Sequence, residues 1–305
     1  MNDGELANYI PELGKANPDH FGICLASVEG TLFEAGDCNV EFSLQSTSKA
    51  LVYARALTSH GRNLVTQRVG IEPSGDAFNS IQLDKLNRAF NPMVNAGAIT
   101  TTGFIEGASL AERRENLLRT FSAAAGRQLR IDERIYQSES ETGHRNRALA
   151  WLVTNFDKMD HATNMETLEL YFMQCSILVT ARDLAIMGAT LANTGTNPFT
   201  GENVFDVGCT QDTLSVMFTC GMYDYAGEWA YRVGIPSKSG VGGGIMGVVN
   251  RQLGIGTFSP RLDERGNSVR GIRAYIHLSE ELGLHAFNFM NDGSSYLRAM
   301  MIGKS

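Results

Sequence analysis

The sequence predicts a mixed α/β fold, with an antiparallel sheet built from both ends of the chain, flanked by helices, and a helical lobe inserted between its strands. β-rich segments bounded by turn residues lie near both ends of the chain. Between them, residues 61–222 carry apolar side chains mostly at helical spacing. Because no repeat or linker interrupts the 305 residues, we expect a single domain with two lobes, residues 1–60 plus 223–305 and residues 61–222.

The N-terminal part is expected to form a hairpin followed by a helix. Residues 21–28 are apolar and β-rich, Glu29-Gly30 is a turn signal, and residues 31–36 form the returning strand. In residues 46–58 apolar side chains recur every three to four positions, which predicts a helix with one buried face. The other expected elements are a turn at 73–76, helices at 109–125 and 181–191, a turn at 193–198, strands at 245–250 and 253–257, a turn at 263–267 and a last helix at 268–282.

Composition excludes few classes of protein. The chain has 26 basic and 33 acidic residues, a net charge of −7, and 43% hydrophobic residues, which is too apolar for a disordered chain. The acidic balance gives no electrostatic reason to bind nucleic acid or an anionic membrane. A chain of this length buries enough surface to need neither disulfides nor a structural metal.

The cysteines and the N-terminal residues indicate a reducing compartment. The five cysteines, an odd number, include no C-x-x-C pair and no zinc-finger spacing, and most lie in apolar surroundings typical of a core. The first residues lack the basic and apolar regions of a secretory signal, and no apolar run reaches a membrane-spanning length. We therefore expect a cytoplasmic protein.

A first chemical signal is Ser46-Thr47-Ser48-Lys49. Residues three apart share a helix face, so the Ser46 hydroxyl and the Lys49 amine can meet. Burial lowers a lysine pKa, which would let Lys49 act as the base that a serine nucleophile needs. S-x-x-K also arises by chance, and a capping serine with a surface lysine is the alternative.

A second signal is Lys238-Ser239-Gly240, at the start of a glycine-rich C-terminal strand. A lysine-hydroxyl-glycine triplet beside a serine nucleophile is an element of the penicillin-recognising enzymes. The order of the two signals, one after an N-terminal hairpin and one entering a C-terminal sheet, favours an acyl-transfer serine site. No Ser-Asp-Asn lies between them, so Tyr171 or Tyr223 is a candidate proton relay, although each tyrosine taken alone is typical of a packed core.

Two polar segments are candidates for substrate binding. Residues 138–147 are dense in hydrogen-bonding side chains, including Glu139 and Asn146, and a solvated helix face is the alternative interpretation. Asn95 lies among small apolar residues, where a buried amide needs partners, and a turn-stabilising amide is the alternative. The chain contains no H-E-x-x-H, no Walker-type loop and no G-x-S-x-G, and Gly240–Gly244 does not fit a dinucleotide-binding loop.

Several long motifs, in order, resemble those of the serine-dependent glutaminases, a family with a β-lactamase/DD-peptidase-like fold. The matching stretches are residues 45–49, 70–81, 91–99, 138–148, 171–176, 221–224 and 234–244. The resemblance runs from about Tyr9 to about Ile272. It implies a bare, bacterial-type catalytic domain, because the chain is shorter than the kidney-type relatives and lacks their ankyrin repeats.

The resemblance also implies roles for individual residues. Ser46 would be the nucleophile, Lys49 its base, and Tyr171 the favoured proton relay, with Tyr223 as the alternative. The substrate would contact Ser46, Asn95, Glu139, Asn146, Tyr171, Tyr223 and the backbone of Val241. The backbone N–H groups of Ser46 and Val241 would form the oxyanion hole, and Lys238, Ser239 and Gly240 would support the site.

We therefore expect hydrolysis of L-glutamine to L-glutamate and ammonia through a γ-glutamyl-serine acyl-enzyme, with no metal or organic cofactor. By resemblance, the chain forms a homodimer or homotetramer. Two other functions share part of the pattern: a β-lactam-directed enzyme would use Ser46, Lys49 and Lys238 without needing Glu139 and Asn95, and a non-catalytic sensor would bind glutamine without turnover.

Overall fold

Three antiparallel sheets and ten α-helices make up the described part of the chain, residues 3–75 and 79–288, in a computed structural model. The strands are β1 (Glu5–Leu6), β2 (Gly22–Ser27), β3 (Leu32–Gly36), β4 (Phe42–Ser43), β5 (Arg130–Ile131), β6 (Ile177–Val179), β7 (Ser237–Ser239), β8 (Gly244–Val249), β9 (Leu253–Phe258) and β10 (Arg261–Leu262). The helices are α1 (Lys49–Arg68), α2 (Asn95–Thr102), α3 (Leu110–Ala125), α4 (Glu133–Thr142), α5 (His144–Asn155), α6 (Asn164–Cys175), α7 (Ala181–Ala192), α8 (Val207–Cys220), α9 (Ala226–Arg232) and α10 (Val269–Leu282). Asp76 of the predicted turn and residues 289–305 of the predicted sheet lobe lie outside the described residues.

The main sheet joins the two ends of the chain. Its strand order is β3-β2-β9-β8-β7, and every neighbouring pair is antiparallel. Strand β2 lies between β3 of the N-terminal hairpin and the C-terminal strand β9. Its Gly22 opposes Gly36 of β3 on one side and Phe258 of β9 on the other. This arrangement confirms the predicted hairpin and the predicted antiparallel sheet assembled from both chain ends.

Helix α7 packs against one face of this sheet, on β2, β8 and β9. The approach is close because β9 carries Gly254 and Gly256 where the helix lies. A Cβ on either glycine would come within 2.1 Å of a backbone atom of α7. Helix α7 lies within the predicted helical lobe, residues 61–222, yet it forms a layer on the sheet; the lobe boundaries stay a prediction.

The helix predicted at 46–58 begins and ends differently in the structure. Residues Gln45–Ser48 form a 3₁₀ turn, and α1 proper runs from Lys49 to Arg68 with a break at Gly61, whose φ is 76°. Helix α1 is buried along its first nine residues except Arg55, and it packs between α2 and α8 in the largest apolar cluster. The serine at its start is therefore fixed to the core of the molecule.

A small sheet in the order β4-β6-β5 was not predicted. Its strands are two or three residues long, too short for an alternating pattern to show in the sequence. It connects β4, directly before the 3₁₀ turn, to β6, directly after α6. It therefore fixes the 3₁₀ turn and the end of α6 relative to each other.

Three other helices were predicted with approximate bounds, and the structure contains all three. The helices at 109–125 and 181–191 are α3 and α7, each started by a side-chain cap, Ser109 and Thr180. Helix α10 is capped by Ser268 and ends at Gly283 in the left-handed conformation, as predicted for 268–282. Within residues 3–75 and 79–288, none of the helices combines the length and the apolar run that a membrane crossing needs.

Candidate active site

Ser46 and Lys49 lie on one turn at the start of α1. The backbone N–H of Lys49 donates a hydrogen bond to the Ser46 carbonyl, which closes the 3₁₀ turn. Both side chains are buried, Ser46 with 6% of its surface exposed and Lys49 with none. The alternative interpretation of Ser46 and Lys49, a capping serine beside a surface lysine, is therefore wrong.

The Lys49 ammonium is held by two acceptors in the interior. Its Nζ donates to Asn95 Oδ1 at 2.6 Å and to the Met93 carbonyl at 3.3 Å. Burial lowers the pKa of Lys49 to about 8, against the opposing negative charge of Glu139. A neutral amine is thus available near neutral pH, which is what a general base requires.

Asn95 continues a chain of amides across the site. It stands at the first position of α2, and its Nδ2 donates to Asn146 Oδ1 at 2.9 Å. Asn146 Nδ2 in turn lies 3.4 Å from the Tyr9 hydroxyl. The amide of Asn95 is therefore not a turn-stabilising group: it links Lys49 on α1 to Asn146 on α5.

Glu139 on α4 is a buried carboxyl group in the same region. Only 1% of the residue is exposed, and burial raises its pKa to about 7, although the neighbouring Gln45 side chain and the charge of Lys49 act in the opposite direction. The alternative interpretation, in which Glu139 lies on a solvated helix face, is therefore wrong. A buried carboxylate of this kind favours a cationic partner.

The two candidate tyrosines occupy different positions. The Tyr171 hydroxyl lies 3.4 Å from Asn95 Oδ1, on the side of the amide chain. The Tyr223 hydroxyl interacts with the Ser46 side chain and the Val241 backbone, contacts that lower its pKa, while burial raises it more. Tyr223 also has a φ of 54°, a left-handed conformation that side-chain-bearing residues seldom adopt.

The Lys238-Ser239-Gly240 segment forms the edge strand β7 and its end. Lys238 is fully buried, and its Nζ donates to the carbonyls of Gly221 and Ser239 at 3.0 and 2.5 Å. The same nitrogen lies 4.3 Å from the centre of the Tyr223 ring. A Cβ on Gly240 would come within 2.6 Å of Thr47 Oγ1, so glycine is what allows the strand to approach the serine turn.

The predicted site residues come together from both ends of the chain and from its middle. The contacts given above join eight of them, which are Ser46, Lys49, Asn95, Asn146, Tyr171, Tyr223, Val241 and Lys238. Glu139 belongs to the same group because it interacts with Gln45 and with the charge of Lys49. Ser239 is buried on β7, and its hydroxyl makes no hydrogen bond to the rest of the described chain.

Sequence reasoning missed two residues of this group, Tyr9 and Gln45. Tyr9 stands alone in an irregular segment, and burial raises the pKa of its hydroxyl to about 12, with the negative charge of Glu139 adding to the effect. Gln45 directly precedes the S-x-x-K motif, and that adjacency was a signal that could have drawn attention to it. No local pattern identified Tyr9.

Comparisons with known proteins agree on one family. The glutaminase family model matches residues 4–287. A glutaminase of Microcystis aeruginosa is 55% identical over 289 residues, which is 94% of this chain and 85% of the relative. A glutaminase of Trichormus variabilis is 53% identical over 288 residues, 94% of this chain and 86% of the relative.

Solved structures give the same result. A probable glutaminase, ybaS, has a TM-score of 0.91 at 38% identity, covering 94% of this chain and 93% of its own. The native form of Mglu has a TM-score of 0.91 at 44% identity, covering 96% of this chain and 71% of its own. The fold is that of known glutaminases, and this chain belongs to the glutaminase family.

Proposed function

We propose that this protein hydrolyses L-glutamine to L-glutamate and ammonia through a γ-glutamyl-serine acyl-enzyme. The observation that carries the proposal is the buried Lys49 amine, whose pKa is lowered to about 8, on the same turn as the buried Ser46 hydroxyl. Family membership supplies the substrate class.

In the first half-reaction the Ser46 Oγ attacks the γ-amide carbon of glutamine, and the neutral Lys49 amine takes the hydroxyl proton. The backbone N–H groups of Ser46 and Val241 stabilise the oxyanion. A site tyrosine donates a proton to the departing nitrogen and regains one from the Lys49 ammonium, so that ammonia leaves, Lys49 is neutral again and an ester to Ser46 remains. Water then attacks the ester and Lys49 accepts its proton. Collapse of the intermediate returns that proton to the Ser46 Oγ, releases glutamate and restores the free enzyme.

We assign the relay to Tyr223, with Tyr171 as the alternative that the motif pattern favours. Tyr223 interacts with the Ser46 side chain itself, whereas Tyr171 contacts Asn95. A relay must reach both the nucleophile and the departing group, and the contact with Ser46 supports Tyr223.

The amino-acid end of glutamine would bind to the buried polar groups beyond Lys49. Glu139 is suited to pair with the α-ammonium, and a bound cation would favour its charged form. Asn146 and Tyr9 offer donors to the α-carboxylate. A solved structure of Mglu, a relative with a TM-score of 0.91, is described as a glutamate form, which is consistent with this assignment.

We also propose a β-lactamase/DD-peptidase-like classification, a cytoplasmic location and a homodimeric or homotetrameric state, with no metal or organic cofactor in the reaction. A serine turn that contacts the end of an edge strand carrying Lys238-Ser239-Gly240 supports the classification. All five cysteines lie in the described ranges as free thiols, which suits a reducing compartment. The oligomeric state rests on resemblance alone and is measured by light scattering.

Ser46→Ala tests the proposed function. We expect release of ammonia and glutamate from glutamine to fall by a factor of about 10⁴ or more in a coupled glutamate assay, because the acyl-enzyme cannot form. The matched control is Ser176→Ala, which removes a fully buried serine hydroxyl whose hydrogen-bond partner within residues 3–75 and 79–288 is the Phe172 carbonyl of α6. Near wild-type turnover by Ser46→Ala contradicts the mechanism.

Two further measurements separate the other functions. Mass spectrometry after reaction with a glutamine-analogue electrophile should find a covalent adduct on Ser46, whereas a non-catalytic sensor would bind glutamine with neither adduct nor turnover. Turnover of a chromogenic cephalosporin, at a rate above that of glutamine, would indicate a β-lactam-directed enzyme.

A further inference from the structure

A fully buried chain of polar side chains ends on the peptide bond directly before Ser46. Thr102 Oγ1 on α2 lies 2.8 Å from the Ala98 carbonyl oxygen and 2.9 Å from Gln174 Oε1, so its one proton is shared between two acceptors. Gln174 Nε2 on α6 donates to Ser48 Oγ at 2.8 Å. The Ser48 hydroxyl donates to the Gln45 carbonyl oxygen at 2.7 Å. Thr102, Gln174 and Ser48 have no exposed surface, so each bond is formed without competition from water.

The residue that accepts the last bond has an uncommon backbone conformation. Gln45 has a φ of 48°, in the left-handed region that a glutamine seldom occupies. Such conformations persist where surrounding contacts hold them in place. The Ser48 hydroxyl is one such contact, and it acts on the carbonyl of Gln45 itself.

Peptide planarity carries the effect from that carbonyl to the next residue. The Gln45 carbonyl and the Ser46 N–H belong to one rigid trans peptide unit, in which they point in opposite directions. Fixing the carbonyl toward Ser48 therefore directs the Ser46 N–H away from Ser48. A hydrogen bond accepted by the carbonyl also polarises the peptide unit, which makes its N–H a stronger donor.

We propose that Ser48 and Gln174 are positioning residues for the oxyanion hole, acting through the Gln45–Ser46 peptide. Ser48 orients and polarises the Ser46 N–H, and Gln174 holds the Ser48 hydroxyl in place. This inference rests on the proposed function, since it gives the Ser46 N–H its part in stabilising the tetrahedral intermediate.

The first test separates kcat from KM. Ser48→Ala should lower kcat for glutamine by roughly tenfold to a hundredfold, less than the 10²–10³ typical of removing an oxyanion donor outright, because the N–H is still present. KM should stay within about twofold, because the donor acts in the transition state and not on bound glutamine. Ser176→Ala is the matched control, and we expect it to retain the wild-type kcat.

The second test uses the coupling between the two residues. Gln174→Leu should lower kcat less than Ser48→Ala does, and the double variant should be no slower than Ser48→Ala alone, because Gln174 acts only through Ser48. Ser48→Thr keeps a hydroxyl and should recover most of the activity. If Ser48→Ala fails to fold, Gln174→Glu replaces the donor amide by a side chain of the same shape, and it should lower kcat with KM unchanged.

The third test distinguishes positioning from general distortion. A γ-boronic acid analogue of glutamate forms a tetrahedral adduct on Ser46 and places an oxygen in the oxyanion hole. In Ser48→Ala, affinity for the boronate should fall in proportion to kcat/KM, while affinity for L-glutamate stays unchanged. Equal losses for both ligands, or kcat equal to that of Ser176→Ala, overturn the inference.

Failure of this inference is separate from failure of the proposed function. If Ser46→Ala abolishes turnover while Ser48→Ala behaves as the control does, only the positioning role is lost. If Ser46→Ala keeps near wild-type turnover, the acyl-enzyme mechanism itself is wrong, and the kcat of Ser48→Ala no longer reports on an oxyanion hole.

Discussion

Lys49 and Glu139 are ionisable side chains held in the interior within each other's electrostatic influence. Burial lowers the pKa of Lys49 to about 8 and raises the pKa of Glu139 to about 7. Both residues therefore change protonation close to neutral pH, and their proposed roles need the deprotonated form of each. The pH dependence of catalysis tests these assignments.

We expect kcat/KM for glutamine to rise with pH between about 6 and 9. Below a pH of about 8 Lys49 is mostly protonated, and the neutral fraction that can accept the Ser46 proton falls with pH. Below about 7 Glu139 is mostly neutral and does not pair with an ammonium. The acid limb of the profile should approach a slope of two. A flat profile over this range, measured at constant ionic strength, contradicts both roles.

Glu139→Gln provides a more specific test. The negative charge of Glu139 raises the pKa of Lys49, so its removal should shift the remaining acid limb to lower pH and reduce its slope to one. KM should rise by about a hundredfold, because the ammonium of the substrate loses its charged partner. An acid limb that moves to higher pH would show that the two groups do not interact as described.

The two tyrosines are separated by parallel variants. Tyr223→Phe should lower kcat by about 10² or more, the contribution typical of a positioned proton donor. Tyr171→Phe should cost about tenfold, because its hydroxyl contacts Asn95 and not Ser46. The reverse order, measured as kcat at saturating glutamine, would identify Tyr171 as the relay.

The sequence predicts the site residues that lie within a motif and misses those that do not. Ser46 and Lys49 are three positions apart on a helical turn, so their proximity follows from local geometry. The environment of Lys49 depends on Asn95, which is 46 residues away, and the spacing of S-x-x-K carries no information on that contact. Tyr9 reaches Asn146 across 137 residues from a segment with no pattern, so only the folded chain reveals it.

Among the elements, the five- and six-residue strands and the helices α1, α3, α7 and α10 were predicted with approximate bounds. The other helices were covered only by the expectation that residues 61–222 are mostly helical, and the shortest strands were not predicted. The hairpin of β2 and β3 and the pair of β8 and β9 have five- and six-residue strands bounded by turn residues. The sheet of β4, β5 and β6 has two- and three-residue strands that form through distant pairing alone. The 3₁₀ turn before α1 has the same helical spacing as an α-helix over four residues, so a periodic pattern does not distinguish the two.

The contact between α7 and the main sheet leads to a stability prediction. Gly256→Ala should lower the free energy of unfolding by about 2–3 kcal/mol, because a Cβ at that position would lie 2.1 Å from the Ala181 carbonyl oxygen. Gly208→Ala on α8 is the control. A Cβ at Gly208 would meet no atom of the described residues within 4 Å outside its own helix backbone, so the substitution should raise the free energy of unfolding by up to about 1 kcal/mol. Urea unfolding measures both variants, and equal midpoints would contradict the close packing of β9 and α7.

The whole molecule is organised around contacts between distant parts of the chain. The main sheet takes β2 and β3 from the first 36 residues and β7, β8 and β9 from residues 237–258. Strand β1 pairs with β10 in the same way, and Ile10 packs in an apolar cluster with Tyr223, Val241 and Leu262. Tyr9 is thereby held between two parts of the chain that come together only in the folded protein.

Removal of residues 1–6 tests how Tyr9 is held. Without β1, KM for glutamine should rise by about tenfold, a loss on the scale of one weakened hydrogen bond, while kcat changes less. Thermal stability should change little, because the removed residues contribute the two-residue pairing of β1 and the exposed ion pair between Asp3 and Arg273. Tyr9→Phe is the companion variant: if it raises KM and the truncation does not, β1 is not needed to place Tyr9.

The pairing of β1 with β10 has a practical consequence for work with this enzyme. An affinity tag fused ahead of Glu5 would extend the short strand that anchors the Tyr9 segment, and a bulky fusion there would strain that anchor. Kinetic constants measured on N-terminally tagged protein would then report the tag as well as the enzyme. Proteolytic removal of such a tag before assays is the appropriate precaution, and a comparison of KM before and after cleavage would itself measure the strength of the anchor.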